Sequence, residues 1–271
     1  MTDLAAFRDA AHELADLADA ATMRAFRHHL DVRTKADGTW VTAVDEEVER
    51  TLRAALRRRF PDHAVLGEED GLDGPPDAPR WVIDPIDGTT NFVKGNPVFA
   101  TLIGLQVDGQ DVLGVASAPA LATRFDGIAG GPARQDGRPI TVSDIDRLDA
   151  AEVAFGGLCY FADRGLASAP ARLTEVTARQ RGYGDFWNHC LVAAGSTDVA
   201  VEAAVSLWDL VAVKVIVEAA GGRFTDLDGV TTADGGSAVS TNGLLHEAVL
   251  ALLTPDAQDA RPTRDAGDVG A

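Results

Sequence analysis

The order in which apolar patterns change along the chain limits the folds open to it. Apolar residues recur at helical spacing over about the first 30 residues and again over about 45–59. Short apolar runs with a period of two follow, and from about residue 150 strand-like and helix-like segments alternate. Strands that first pair in hairpins and then alternate with helices predict an α/β (α+β) fold, with two sheets sandwiched between layers of helices.

Turn signals set the expected limits of the strands. Asp108-Gly109-Gln110 separates apolar runs at 98–107 and 111–117, which is the pattern of a β-hairpin. Asp136-Gly137 predicts another turn, before a short apolar run at 140–142. The other expected elements are strands at about 64–66, 81–83, 123–129, 151–155, 198–202 and 223–226, and helices at about 168–179, 187–195 and 209–220.

The length of the chain, 271 residues, allows one large domain or two packed ones. We expect an N-terminal α+β half at 1–145 and a C-terminal α/β half at 146–255. Residues 256–271 contain almost no large apolar side chain and are rich in Asp, Ala, Arg, Pro and Gly, which predicts a disordered tail.

Charge and composition exclude several classes of partner. The formal net charge is −18, without the basic patch that binds nucleic acids or anionic membranes. No apolar run reaches the ~18–20 residues of a membrane span. The two cysteines, Cys159 and Cys190, build no disulfide framework, so we expect a cytoplasmic protein. A chain this acidic binds an anionic substrate only by recruiting cations.

The strongest functional motif lies at residues 84–92, Asp-Pro-Ile-Asp-Gly-Thr-Thr-Asn-Phe. An apolar strand ends at Asp84, and a sharp turn then brings Asp84 and Asp87 to one pocket. The backbone of Gly88-Thr89-Thr90 can expose N–H groups to a phosphate at the start of a helix. Carboxylates beside a phosphate repel it unless a metal lies between them, and hard oxygen ligands favour Mg²⁺. The alternative is a simple Asx turn with a helix cap.

Three other acidic features fit the same pocket. Glu68-Glu69 follow a strand and a glycine, Asp209 follows Trp208 at the start of a helix, and Asp45 stands with Thr42 at the start of the second helix. Taken alone, each is explained by an exposed turn or a helix cap.

Together these features resemble the inositol monophosphatase superfamily of Mg²⁺-dependent, lithium-sensitive phosphomonoesterases, over about residues 4–252. Two signature stretches carry the resemblance: residues 81–92, and Trp208-Asp209 with Glu218-Ala219-Ala220-Gly221-Gly222 further on. Gly67-Glu68-Glu69 stands at the expected distance upstream. The resemblance implies a layered αβαβα sandwich, often as a homodimer.

The resemblance also implies two or three Mg²⁺ ions per site. Glu68, Asp84 and the carbonyl of Ile86 match the ligands of the first metal. Asp84, Asp87 and Asp209 match those of the second, so that Asp84 bridges the two. A third, weaker metal is common near Glu68. Most of these ligands belong to the expected N-terminal half.

Catalytic roles follow from the same resemblance. Gly88 and Thr89 match the backbone N–H groups that bind phosphate, and Thr89 with Asp45 matches the hydroxyl–carboxylate pair that helps to deprotonate a water. Glu68 and Asp87 join them as catalytic residues through the metals. A metal lowers the pKa of its water, which attacks phosphorus in line, and a second metal takes the charge of the leaving alkoxide.

The stretch at 181–189 is similar to the branch that hydrolyses histidinol phosphate, an intermediate of histidine biosynthesis. Asp185 and Glu202, with Asp209, are then substrate-binding residues, because carboxylates pair with the ammonium and imidazole of that substrate. Phe186 or Trp187 would face the imidazole ring. In the alternative, Asp185 caps a helix and the aromatic residues fill the core. His189 has no assigned chemistry.

Other functions are also considered. The chain can instead hydrolyse inositol-1-phosphate or another small phosphomonoester. A non-catalytic metal-binding relative is less well supported, because every matched ligand is present. Asp226-Leu227-Asp228-Gly229-Val230 imitates the motif of haloacid-dehalogenase-type phosphatases, but no lysine follows Lys214. The sequence contains neither a Walker-type phosphate loop nor a G-x-S-x-G motif.

Overall fold

The structure is a computed structural model that describes residues 4–36 and 38–255. Within that part of the chain, helices and strands form five layers. The helices are α1 (Leu4–Ala25), α2 (Ala43–Arg59), α3 (Thr89–Val93), α4 (Leu158–Asp163), α5 (Ala169–Val176), α6 (Asp185–Ala193), α7 (Leu207–Ala219) and α8 (His246–Leu252). The strands are β1 (Val32–Thr34), β2 (Trp40–Thr42), β3 (Ala64–Gly67), β4 (Gly71–Asp73), β5 (Arg80–Asp87), β6 (Ala100–Val107), β7 (Gln110–Ala118), β8 (Thr123–Ile128), β9 (Arg134–Gln135), β10 (Arg138–Pro139), β11 (Glu152–Phe155), β12 (Arg179–Arg181), β13 (Val199–Glu202), β14 (Arg223–Thr225) and β15 (Ala238–Thr241).

The first layer contains α1 and α2, which pack against one face of the larger sheet. α2 begins with a capping box, in which the Thr42 hydroxyl accepts the Val44 N–H and the Asp45 carboxylate accepts the Thr42 N–H. Val48 and Leu52, one turn apart, are fully buried between α1 and the sheet. The apolar spacing therefore predicted this helix correctly.

The second layer is an eight-stranded sheet in the order β10-β9-β8-β7-β6-β5-β3-β4. The hairpin predicted around residue 109 is β6–β7, and its two turn residues, Asp108 and Gly109, both have positive φ. This conformation matches the twist of the strands that it joins. The predicted turn at Asp136-Gly137 joins β9 to β10. The apolar run at 140–142 is not a strand, and its Val142 N–H donates to the Ala220 carbonyl, outside the sheet.

The third layer contains α6 and α7, which lie between the two sheets. α7 is buried around most of its circumference, as expected for a helix with a sheet on each side. Gly104 and Gly114 allow α7 to approach the larger sheet closely. A Cβ on Gly114 would lie 2.1 Å from the Ala212 carbonyl oxygen, and one on Gly104 would lie 2.4 Å from a methyl group of Val211.

The fourth layer is a five-stranded sheet in the order β12-β11-β13-β15-β14, covered on its outer face by α4, α5 and α8. Helix α5 ends at Val176, before the predicted limit of 179, because Arg179–Arg181 forms β12 at the sheet edge. Strand β15, which the sequence analysis missed, lies in the middle of the antiparallel part. The αβαβα sandwich is confirmed.

The larger sheet ends at Pro139 and the smaller begins at Glu152. The division into halves at residues 145/146 remains a prediction. The predicted disordered tail, 256–271, lies outside the described residues. Among the helices of the described part, none is both long and apolar enough to span a bilayer.

Candidate active site

A cavity of about 500 Å³ opens where the end of β5 meets the first turn of α7 and the end of β13. Six of the predicted site carboxylates line it: Glu68, Asp84, Asp87, Asp185, Glu202 and Asp209. Gly88, Thr89 and Ile86 line it as well, while Asp45 lies behind Thr89. The fold therefore gathers residues from both sheets around one space.

The turn after β5 has the sharp shape that its sequence indicates. The pairing of β5 with β6 shifts register between Asp84 and Asp87, which is a bulge that places both carboxylates on the cavity side. The Ile86 N–H donates to Asp84 Oδ1 at 2.9 Å. Gly88 follows with φ 79°, a conformation that favours glycine, and α3 begins at the next residue.

Asp84, Asp87 and Asp209 present carboxylate oxygens that lie within 4.8 Å of one another. Asp209 belongs to a capping box at the start of α7, where its Oδ2 accepts the Ser206 N–H at 2.8 Å. Burial raises the pKa of Asp209 to about 7. Burial, and then the charges of neighbouring carboxylates, also raise the pKa of Asp84 and of Asp87.

This group of three fits a hard divalent cation. Asp84 and Asp87 are buried and Asp209 is half-buried; carboxylates so close together repel one another, and a cation between them removes that cost. Oxygen is the donor that Mg²⁺ prefers. The donor set therefore supports the expected metal at this place.

Glu68 stands outside the group of three but faces the same cavity, because β3 runs parallel to β5 and pairs Gly67 with Ile83. Its carboxylate accepts the Lys35 ammonium at 2.7 Å, and Glu69 accepts it at 2.8 Å. Burial opposes the charge of Lys35, but these hydrogen bonds outweigh it and raise the pKa of the ammonium. Lys35, on the segment between β1 and β2, was missed, because it stands outside the motifs and its two partners follow more than 30 residues later.

The Thr89 hydroxyl lies between two acceptors. It is 2.9 Å from the Ile86 carbonyl oxygen and 3.3 Å from Asp45 Oδ1. The other carboxylate oxygen of Asp45 is held by Thr42, and burial raises the pKa of Asp45. The expected hydroxyl–carboxylate pair is thus in contact.

Asp185 begins α6 with φ 53°, a strained value for a residue that is not glycine. Its Oδ2 accepts the Asn91 side-chain N–H at 3.0 Å, rather than capping the helix. The next N–H, of Phe186, donates to Asp87 Oδ2 at 2.8 Å. The first turn of α6 is therefore hydrogen-bonded directly to the carboxylate cluster.

Glu202 ends β13, and its side chain is buried. It accepts the Asn188 side-chain N–H at 3.0 Å, and burial raises its pKa to about 8. Asn188 also accepts the Gly184 N–H, so one amide contacts both the turn before α6 and Glu202. A Cβ on Gly156 would lie 1.6 Å from Glu202 Oε2, so only glycine leaves room for this carboxylate.

The two aromatic residues at the start of α6, Phe186 and Trp187, lie in different surroundings. Phe186 lines the cavity floor, while Trp187 packs edge-on against Phe125 in the core between the sheets, with ring centroids 5.9 Å apart. Of the two aromatic residues expected near a substrate ring, it is therefore Phe186 that lines the cavity. His189 is buried and lies 2.7 Å from Ser240 Oγ, which agrees with a structural role.

The sequence analysis also missed Asn91 and Asn188 as site residues. Both stand inside motifs that it singled out, but their partners are distant in the chain. Asn91 meets Asp185, and Asn188 meets Glu202, only in the folded chain, so the sequence alone does not identify them as site residues.

The layered fold and its carboxylate-rich cavity define a phosphoric monoester hydrolase, the class of its relatives. The sequence pattern of the inositol monophosphatase family matches residues 3–257, and the chain belongs to that family. Members of the family are generally Mg²⁺-dependent.

Individual relatives cover nearly the whole chain. A histidinol-phosphatase of Mycobacterium tuberculosis is 47% identical over 247 residues, which are 89% of this chain and 95% of the relative. A histidinol-phosphatase of Streptomyces coelicolor is 43% identical over 253 residues, or 90% and 95% of the two chains. The solved structure of an IMPase from Thermotoga maritima has a TM-score of 0.82 at 31% identity, covering 90% of this chain and 95% of its own.

Proposed function

We propose that this chain hydrolyses histidinol phosphate to histidinol and inorganic phosphate, as a step of histidine biosynthesis. The observation that carries the proposal is the pair Asp185 and Glu202, which line the same cavity as the metal-site carboxylates. The names of the two bacterial relatives support the same substrate.

The hydrogen bonds to these two carboxylates come from amides. Asn91 donates to Asp185, and Asn188 donates to Glu202. Within residues 4–36 and 38–255, neither carboxylate forms an ion pair with a Lys, Arg or His side chain. Burial disfavours the charged form of both carboxylates. A substrate cation that enters the cavity would therefore stabilise them. Histidinol phosphate carries an ammonium and an imidazole, whereas inositol phosphate carries no cation.

Glu68, Asp84, Asp87, Asp209 and the Ile86 carbonyl are proposed to hold two Mg²⁺ ions, with a third near Glu68. Mg²⁺ held by these residues would lower the pKa of a water and offset the charge of the phosphate. Asp209 also borders the substrate side of the cavity.

The chain's own residues are proposed to handle phosphate and proton. The N–H groups of Gly88 and Thr89, at the turn into α3, bind phosphate oxygens. The Thr89 hydroxyl, between the Ile86 carbonyl and Asp45, passes the proton of the attacking water toward Asp45. A buried carboxylate with a raised pKa is a better proton acceptor than an exposed one.

A second candidate function is hydrolysis of inositol-1-phosphate. The solved Thermotoga maritima IMPase, with a TM-score of 0.82, favours it. A non-catalytic role is less well supported, because the donor set of the cavity is complete. Homodimer formation and a cytoplasmic location stay predictions.

The test is phosphate release from histidinol phosphate and from inositol-1-phosphate, with and without Mg²⁺. We expect turnover of histidinol phosphate only when Mg²⁺ is present, and a lower kcat/KM for inositol-1-phosphate. Fructose 1,6-bisphosphate and adenosine 3′,5′-bisphosphate serve as comparison substrates. Preference for inositol-1-phosphate would support the second candidate, and turnover in excess chelator would contradict the metal site.

A further inference from the structure

A buried ion pair on α2 lies behind the turn that carries Glu68, and the proposed reaction gives it no role. Glu49 and Arg53 are one turn apart, and their side chains are 0% and 4% exposed. Arg53 Nε lies 2.8 Å from Glu49 Oε1. Burying two charges costs hydration free energy that apolar side chains of similar volume would not lose. Such a pair is explained best by contacts that apolar side chains cannot make.

The Glu49 carboxylate makes those contacts with the backbone through both of its oxygens. Oε2 accepts the Glu69 N–H at 2.8 Å, and Oε1 accepts the Asp70 N–H at 2.9 Å. These are the two residues directly after Glu68. One carboxylate therefore fixes the backbone from which the Glu68 side chain projects.

Arg53 holds the strands on either side of this turn. It donates to the Val65 carbonyl of β3 at 3.2 Å and to the Gly71 carbonyl of β4. Gly67 lets the backbone reach the pair, because a Cβ there would lie 2.3 Å from Glu49 Oε1. The position of the turn is thus set by direct contact with the buried carboxylate.

We propose that Glu49 and Arg53 are positioning residues for Glu68, which hold its carboxylate at the place from which it binds Mg²⁺. The inference rests on the proposed function, since that function makes Glu68 a metal ligand. The same helix carries Asp45 one turn before Glu49, so α2 aligns the proton acceptor and the metal ligand together. A partner that orients a ligand typically changes metal affinity about 10- to 100-fold when it is lost.

The test compares Glu49→Gln and Glu49→Asp with the wild-type chain. Gln keeps the size but has a single acceptor oxygen, so one of the two turn N–H groups loses its partner. Asp keeps the charge that Arg53 needs but is one methylene too short to reach the turn, and it remains informative if the Gln variant does not fold. Titration calorimetry with Mg²⁺, together with the rise in Tm on adding Mg²⁺, measures metal binding without activity.

Arg57→Gln is the matched control. Arg57 lies one turn further along α2 and pairs with Asp73 of β4, but this pair is exposed. We expect about 10- to 100-fold weaker Mg²⁺ binding in both Glu49 variants. We expect an unchanged KM for histidinol phosphate at saturating Mg²⁺, and no effect in the control.

Wild-type Mg²⁺ affinity in folded Glu49 variants, with only a lower Tm, would overturn the inference and leave the proposed function intact. A wild-type chain that binds no Mg²⁺ would overturn the proposed function and this inference with it. A loss of substrate affinity equal to the loss of Mg²⁺ affinity would also contradict positioning of Glu68 alone.

Discussion

Thr89 offers its two polar groups to two different tasks. Its backbone N–H is proposed to bind phosphate in the ground state and the transition state alike. Its hydroxyl, 3.3 Å from Asp45 Oδ1, is proposed to act only while a proton moves. A single side-chain change therefore separates binding from catalysis at this residue.

Thr89→Ala is expected to lower kcat and kcat/KM together, by about 100-fold or more, because it removes a contact made mainly in the transition state. Steady-state kinetics with histidinol phosphate measure both constants. Thr51→Ala is a suitable control, since that hydroxyl donates to the Glu47 carbonyl on the exposed side of α2. A rise in KM with an unchanged kcat would contradict the proton-transfer role.

Asp185→Asn is expected to reduce the preference for histidinol phosphate over inositol-1-phosphate by about 10- to 150-fold. This is the effect of losing one partly buried charged hydrogen bond of about 1.5–3 kcal/mol. The ratio of the two kcat/KM values, in the wild-type chain and in the variant, measures it. Equal losses on both substrates would assign Asp185 a shared or structural role, and Asp149→Asn, in an exposed pair with Arg147, controls for the general effect of charge.

At the scale of elements, the contact between α7 and the larger sheet determines where Asp209 lies. Two glycines of neighbouring strands meet this helix in different ways. Gly114 meets the Ala212 backbone, while Gly104 meets the Val211 side chain. A methyl group on Gly104 can be accommodated if the Val211 side chain moves. A methyl group on Gly114 cannot be accommodated in that way, because it meets helix backbone.

Gly114→Ala is therefore expected to destabilise the fold by about 3 kcal/mol or more, since helix backbone has to move. Gly104→Ala is expected to cost about 1–3 kcal/mol, and much of that should return when Val211→Ala is added. Urea denaturation of the single and double variants gives the values. Rescue of Gly114→Ala by Val211→Ala would show that the two contacts do not differ as described.

Local turn chemistry explains how much of the site could be predicted from sequence. Asp84 and Asp87 lie close together because a strand and a turn within nine residues bring them there, so their signal is local. Asp185 was open to two interpretations, since an aspartate at the start of a helix can either cap that helix or face a cavity. Asn188 and Glu202 meet only when α6 packs on β13, and no local pattern encodes that contact.

The same distinction between local and long-range contacts explains which elements of the fold were predicted. The α2 pattern and the β6–β7 hairpin are specified within their own segments and were predicted. Strand β15 is four buried residues that pair with β13 and β14 from distant parts of the chain, and it was missed. The strand β12 was also missed, and the predicted helix extended to its first residue, because its Arg-Gln-Arg sequence has neither an apolar run nor alternation.

At the scale of the whole molecule, buried histidines make stability depend on pH. His246 is fully buried, with Nδ1 3.0 Å from Thr241 Oγ1 and Nε2 3.0 Å from Thr225 Oγ1. The Thr225 hydroxyl donates to the Asp226 carbonyl, so it accepts the Nε2–H of His246, and in the neutral imidazole Nδ1 accepts the Thr241 hydroxyl. Burial, with the nearby charge of Arg223, lowers the pKa of His246 to about 4.

In the unfolded chain this histidine has its ordinary pKa of about 6.5. Between about pH 6.5 and 4 it is therefore protonated in the unfolded chain and neutral in the folded one. Stability from this group is complete above about pH 6.5 and is lost as the pH falls. From pH 8 to pH 5 the wild-type chain should lose about 2 kcal/mol more than His246→Gln. Denaturation at the two pH values measures this, His29→Gln is the exposed control, and equal losses in all three chains would contradict the assignment.

The cavity draws its two sets of carboxylates from different sheets, and this has a consequence for divergence. Glu68 follows a strand of the larger sheet and Asp84 and Asp87 lie in another, while Glu202 ends a strand of the smaller one. Inherited changes at the end of β13 can accumulate without touching β5 or its turn. A lineage with this architecture is thus free to acquire new substrates while its hydrolytic chemistry is inherited intact.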